Sequence, residues 1–267
     1  MASIRRYRAK WLRWHKSYEK QALKLIEATL RSWTANIRFE DMTDLNYSDL
    51  IRTAIDTNTM FDTYQTIYTA IGTKHGERVG EAMNKEIKFF SRNVFMSDFL
   101  KEVQAFLLSE GSIRITLLEN TYFDLINNLI TQGIEEGKTI REVARDIQIL
   151  VNRRNFYRWQ AMRIARTETT TAANMAAAQA CSSSIFEMQK LWISAQDNRT
   201  RRTPPDKFDH LHMNGVKVDC GKDFEVSGEE MAYPGAPTGS AGNVINCRCT
   251  VAVVPKRDRN GNLIMKD

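Results

Sequence analysis

Two cysteines flank one arginine in the stretch INCRC, residues 245–249, at the head of a β-branched run that closes at Pro255. In an extended strand, side chains at i and i+2 share a face. Cys247 and Cys249 are therefore expected to point together, with Arg248 on the other side. Thiols this close in sequence form a disulfide only with backbone distortion, whereas two soft donors on one face begin a metal site. Zinc is commonly held by four Cys and His ligands. His210 and Cys220 lie in the same C-terminal stretch and could complete the set, with His212 as the second member of an H-x-H pair. Three outcomes stay open: a structural zinc on Cys247, Cys249, His210 and Cys220, burial of two small apolar thiols, or a disulfide to Cys220. No other cofactor is expected.

The second chemically notable residue is Glu168. It falls among Ala161, Ala165, Ala172, Met175 and Gln179, which share a narrow arc at helical period. A carboxylate on such a small-residue stripe must be paired, protonated or turned to a polar site. An arginine of the C-terminal region, such as Arg248, is the simplest partner. If they converged, Glu168, Asp197 and His210 would make an acid–base set. No nucleophile elbow, P-loop, HExxH or dinucleotide fingerprint is present, so no residue is assigned a catalytic role.

Charge is unevenly placed. Residues 1–40 hold ten Lys/Arg against three acids, or +7 of the chain's net +6, leaving −1 for the rest. Arg5, Arg6, Arg8, Lys10, Arg13 and Lys16 start a basic N-terminal segment. Arg153, Arg154, Arg158, Arg163 and Arg166 form a second group with no acid between its ends. Both are expected to attract nucleic-acid phosphates or acidic protein surfaces. No apolar run approaches the roughly 20 residues of a membrane span, and the first 20 residues lack the pattern of a secretory signal. A reducing cytoplasm, in which thiols persist, is the expected site of synthesis.

These residues need elements to position them. All five prolines and three of the four cysteines follow residue 183, while helical periodicity dominates before it. A basic amphipathic helix is expected over about 3–38 and a second over about 50–71, capped by Asp44 or Ser48. Gly72, Gly76 and Gly80 are expected to loosen the chain. Further helices fit about 82–95, 98–109, 113–135 and 139–151, the last opened by a Thr139–Glu142 capping box. A small-residue helix fits about 155–181. Strands fit 186–194, 215–219, 223–227 and 244–255, with 229–243 as a long loop; the tail is expected either to form a small hairpin around Asn260–Asn262 or to stay flexible. The fold class is α+β: a mostly α-helical region (1–139) with a basic arm, a small module with a short antiparallel sheet (140–255), and a tail (256–267).

In order along the chain stand ARTE (165–168), Asn174, KLWIS around Trp192, DNRTR (197–201), His210, Gly215 and INCRC. This ordered set resembles the phage Mu F-like family of head morphogenesis, or minor head, proteins. Arg166, Glu168, Asn174, Trp192, Asp197, Arg199, Arg201, His210, Gly215 and Arg248 carry the likeness, over about residues 140–253. The stretch RTPPDKFD lengthens the usual path to the histidine, which leaves His210 and His212 both open as its match. The resemblance implies a minor capsid protein of a tailed phage, made in the host cytoplasm and residing in the virion, inside the capsid near the portal. Its implied partners are the portal protein, scaffold or major capsid protein, and genomic DNA, engaged during procapsid assembly, packaging or delivery. It would act by binding. The alternative is a toxin-like or metal-dependent hydrolase using Glu168, Asp197 and His210.

Overall fold

The computed structural model describes residues 4–88, 90–151 and 157–266. It contains helices α1 (Ile4–Ala35), α2 (Tyr47–Ala54), α3 (Thr57–Ile87), α4 (Arg92–Phe106), α5 (Ser112–Glu135), α6 (Ile140–Val151), α7 (Arg158–Ser182) and α8 (Ala241–Val244). Its strands are β1 (Met188–Ile193), β2 (Lys217–Asp219), β3 (Phe224–Val226), β4 (Glu229–Met231) and β5 (Thr250–Pro255). The chain is α+β, helical first and with a small antiparallel sheet late, as its patterning predicts. Among the described residues no helix is long and apolar enough to cross a membrane.

Residues 1–22, 66–105 and 163–267 form one compact unit, and residues 23–65 and 106–162 form another. In the first, β1 is the centre of a three-stranded sheet in the order β2-β1-β5. The β1–β5 register pairs Leu191 with Ala252 and Trp192 with Val251. Ile4 and Tyr7 of α1 cover the Leu191, Ile193, Ala252 and Val254 face. The β3–β4 hairpin turns at Ser227 and Gly228, both at positive φ, as a two-residue turn matched to strand twist requires. In the second unit, the Thr139–Glu142 capping box forms as expected: the Glu142 carboxylate accepts from Thr139 N at 2.8 Å. The Glu142 amide donates back to Thr139 Oγ1 at 3.4 Å.

Several expectations need correction. The helix expected over 50–71 is split into α2 and α3, because Asp56 caps a new start. Its carboxylate accepts from Asn58 N at 3.0 Å and from Thr59 Oγ1 at 2.5 Å, a bond available only if the preceding turn is broken. The glycines do not loosen the chain, since α3 runs unbroken through all three. A Cβ on Gly72 would lie 2.0 Å from Phe99 Cζ, one on Gly76 2.0 Å from Phe95 Cζ, and one on Gly80 2.2 Å from Phe90 Cε1. Phe95 and Phe99 stack at 5.5 Å, so the glycines form a groove for an aromatic row. Helices expected over 82–95 and 98–109 are instead the end of α3, α4 and a π-helical turn at Leu107–Gly111. The loop expected over 229–243 contains β4 and α8, and the last strand begins at Thr250, three residues after Cys247. The tail does bend at Gly261, with an Arg257–Leu263 bridge.

The glycine groove makes a stability prediction. Gly76→Ala would gain about 1 kcal/mol of helix propensity, but overpacking a filled site costs about 1–3 kcal/mol. A net loss is expected in urea unfolding, and a variant more stable than wild type would contradict the packing described.

Candidate functional site

His210, Cys247 and Cys249 converge in the first unit, their ligand atoms all within 4.8 Å of one another. All three side chains are buried. Asn243, in α8, orients the imidazole. Its Nδ2 donates to Glu229 Oε2 at 2.9 Å and Val226 O at 3.3 Å, which turns Oδ1 onto His210 Nε2 at 2.6 Å. An amide oxygen only accepts, so Nε2 carries a proton and Nδ1 faces the thiols, 3.5 Å from Cys247 Sγ and 3.6 Å from Cys249 Sγ. The Trp192 ring meets His210 edge-on at 5.7 Å, and Ser194 Oγ donates to the His210 carbonyl.

The two thiols differ electrostatically. Cys247 titrates well below an ordinary thiol because Cys249 donates to its sulfur and the His210 imidazole lies beside it. Cys249 is pushed well above by keeping that proton against Cys247 and by burial. Burial alone would depress His210, but the Cys247 charge and the hydrogen bonds to Cys247 and Asn243 hold it above its usual value.

The backbone carrying these thiols is pinned at each carbonyl. Thr170 Oγ1 donates to Cys247 O at 2.6 Å, Trp11 Nε1 to Arg248 O at 2.8 Å, and Asn174 Nδ2 to Cys249 O at 3.1 Å. His15 Nε2 stands 2.9 Å from Thr170 Oγ1. That hydroxyl has already given its proton to Cys247 O, so the imidazole is the donor. Asn174 also reaches Pro234 O at 2.9 Å and accepts from Thr250 Oγ1 and Val251 N. The run TETTT, 167–171, supplies one of these groups, Thr170, while Thr167 Oγ1 accepts from Asn246 N and Thr171 Oγ1 donates to Gly235 O. Four buried threonines within one helical turn and a half are poor helix formers, and that was the signal available in sequence for this role. Asn243, His15 and Trp11 carry no comparable signal.

Outside the cluster lies a polar groove of about 430 Å³, lined by Arg166, Arg199, Arg201, Arg202 and Arg248 with a single acid, Asp206. Arg166 binds Glu19 through two nitrogens, at 2.9 and 3.3 Å, and Asn246 at 3.1 Å. Arg248 is paired with Asp197 at 2.5 Å, and this arginine holds the Asp197 carboxyl below its usual range against the opposing effect of burial. Arg201 donates to Ile245 O at 2.5 Å. The exposed guanidinium groups of Arg199 and Arg202 have no ion-pair partner among the described residues.

The remaining expectations divide. Cys220 is not with the other thiols: it is bonded to Cys181 across 39 residues. This removes it as a metal ligand and as a partner for Cys247 or Cys249, and departs from the expectation that all thiols persist. Arg248 reaches Asp197 and not Glu168, which is buried and accepts from Tyr68 OH at 2.6 Å. Of the two histidines, His210 is the inward one; His212 is exposed. Gly215 takes positive φ and donates its N–H to Trp192 O. Arg8 is used internally, donating to Ser194 O at 2.9 Å and Asn214 Oδ1 at 3.1 Å. Arg5, Arg6, Lys10, Arg13, Lys16 and Arg158 are exposed, and Arg163 is half-buried. Arg153 and Arg154 lie outside the described residues.

Residues 124–252 match the family model described as Phage Mu protein F like protein. No curated protein and no solved structure matches the chain.

Proposed function

We propose that this chain, which belongs through residues 124–252 to the phage Mu protein F-like family of head morphogenesis proteins, is a minor head protein that joins the assembling capsid at the portal by binding an anionic surface. One observation carries this reading: the groove lined by five arginines against one acid, with Arg199 and Arg202 unpaired at its exposed side. Guanidinium groups held in place by Glu19, Asn246 and Asp197 present directed donors to carboxylates or phosphates at little entropic cost. The exposed bases of α1 add a longer-range field that steers an acidic portal or scaffold surface, or the genome, toward the protein. The role is positioning rather than turnover. Glu168, Asp197 and His210 are each engaged by a separate partner, Tyr68, Arg248 and Asn243, in ways that fix backbone and side-chain position.

Charge reversal at Arg199 and Arg202 tests the groove, because neither side chain supports the fold. In a phage carrying Arg199→Glu with Arg202→Glu, the amount of this protein in purified heads is expected to fall about tenfold or more, the equivalent of roughly 1.4 kcal/mol. Unchanged circular dichroism would show that folding is intact. Wild-type incorporation of the double variant would refute the groove as the docking surface. If DNA is the occupant, wild-type affinity falls steeply with salt and the double variant has a shallower slope; a salt-independent contact with the portal points to protein.

A further inference from the structure

We propose that His210, Cys247 and Cys249 bind one zinc ion, which locks the Cys247–Arg248–Cys249 segment and so fixes the floor of the arginine groove. Three observations converge. The first is distance. Zinc bonds of about 2.3 Å to sulfur and 2.0–2.1 Å to nitrogen at a tetrahedral angle separate the two donor atoms by about 3.5–3.6 Å. The structure places Nδ1 of His210 3.5 and 3.6 Å from the two sulfurs.

The second is the outer shell. A metal-bound histidine normally gives its other ring N–H to a fixed acceptor, and Asn243 Oδ1 is such an acceptor, held by Glu229 and Val226. Metal-bound thiolates are strong acceptors in turn. The Cys249 amide points at Cys247 Sγ, 3.4 Å away. The buried Trp192 indole N–H, on a ring that packs edge-on against His210 at 5.7 Å, has no hydrogen-bond partner among the described residues.

The third is preorganisation. Side chains of Thr170, Trp11 and Asn174 hold the three successive carbonyls, so both sulfurs are aimed without help from the ion. With the cluster this deeply buried, the arrangement suits a structural ion better than a nucleophile, which must meet a substrate. Soft thiolates with one imidazole favour zinc over magnesium or calcium. His, Cys, Asp and Glu provide no fourth ligand among the described residues, so the last position falls to a small exogenous donor.

The test begins with the intact wild-type chain and needs no variant. Purified protein is expected to contain, or to take up from zinc chloride, about one equivalent of zinc. Cobalt(II) in its place should give a near-ultraviolet sulfur-to-metal charge-transfer band. Chelator-stripped protein should melt at a lower temperature than the refilled form. Protein that neither contains nor takes up zinc overturns the proposal, and so does cobalt binding without the band. A Cys247–Cys249 disulfide in the freshly purified protein also overturns it. Among variants, Cys247→Ser with Cys249→Ser should lose the band, while Cys181→Ser with Cys220→Ser should keep it. A band that persists without Cys247 and Cys249, or one that depends on Cys181 and Cys220, places the metal elsewhere and refutes the assignment.

Discussion

Two buried histidines are expected to destabilise the protein as the pH is lowered from 6.5 to 4.5, together contributing a slope approaching about 2.7 kcal/mol per pH unit. His75 is fully buried among Trp11, Trp14 and Tyr18, with neither ring nitrogen hydrogen-bonded. Burial, then the charge of Arg78, pushes its pKa down to about 3. His15 is pushed down to about 3 by burial first and then by Arg248, Arg166 and His75. Glu19, 3.4 Å from its Nδ1, is committed to Arg166. In the unfolded chain both histidines titrate near 6.5. Above that value both states are neutral and nothing is gained or lost. Below it the unfolded state takes up two protons that the folded state refuses until about pH 3, so stability falls with pH throughout that window. One carboxyl opposes them: burial pushes Glu102 up to about 7, so the folded state holds a proton there that the unfolded chain has released, which offsets about one proton's worth of the slope. Urea unfolding at half-unit pH steps measures the slope, and His75→Phe should reduce it by about one proton's worth, roughly 1.4 kcal/mol per unit. A slope identical in wild type and His75→Phe would contradict a neutral, buried His75.

The sequence and the structure part company where partners are distant in the chain. The capping box at Thr139 and Glu142 is a three-residue relation, and it forms as read. The long first helix is similarly local: of the face read from Trp11, Trp14, Leu23, Ile26 and Leu30, all are buried except the half-buried Trp14. The alternation read over residues 186–194 likewise yields β1, at Met188–Ile193. In contrast, the meaning of Gly72, Gly76 and Gly80 depends on Phe99 and Phe95 of the following helix and on Phe90 just before it. A glycine's intrinsic cost in a helix is readable from sequence, but the aromatic row that offsets it is not. At the candidate site, side-chain alternation was sufficient to bring Cys247 and Cys249 together, although the segment precedes the strand, which begins at Thr250. It could not show that Cys220 lies 5.7 Å from Cys181 between Cα atoms, since four cysteines permit three pairings. Nor could it find Asn243, whose role depends on Glu229 and Val226 fixing its amide. Glu168 illustrates the same limit: the small-residue arc correctly marks a buried carboxylate, while its partner Tyr68 lies 100 residues away.

The largest single-site loss of stability is expected at Asn174. Its side chain is fully buried and uses both halves of the amide: Nδ2 donates to Pro234 O and Cys249 O, and Oδ1 accepts from Thr250 Oγ1 and Val251 N. These groups belong to the Pro/Gly loop, the cysteine segment and the first turn of β5, so one amide joins three chain segments to α7. Asn174→Ala removes every one of these bonds and leaves buried groups with no water to replace the partner. At about 1–3 kcal/mol for each unsatisfied group, the cost is about 4 kcal/mol or more, a large share of the roughly 5–15 kcal/mol that holds a domain folded. Asn174→Asp should also destabilise, because it keeps the acceptor but deprives both carbonyls of their donor and buries a charge. The control lies five residues earlier on the same helix. Thr169 is equally buried, but its hydroxyl has no partner, so Thr169→Val should be neutral or stabilising. Urea unfolding of the three variants separates hydrogen bonding from burial: if Asn174→Ala costs no more than Thr169→Val, the amide does not hold the cysteine segment in place.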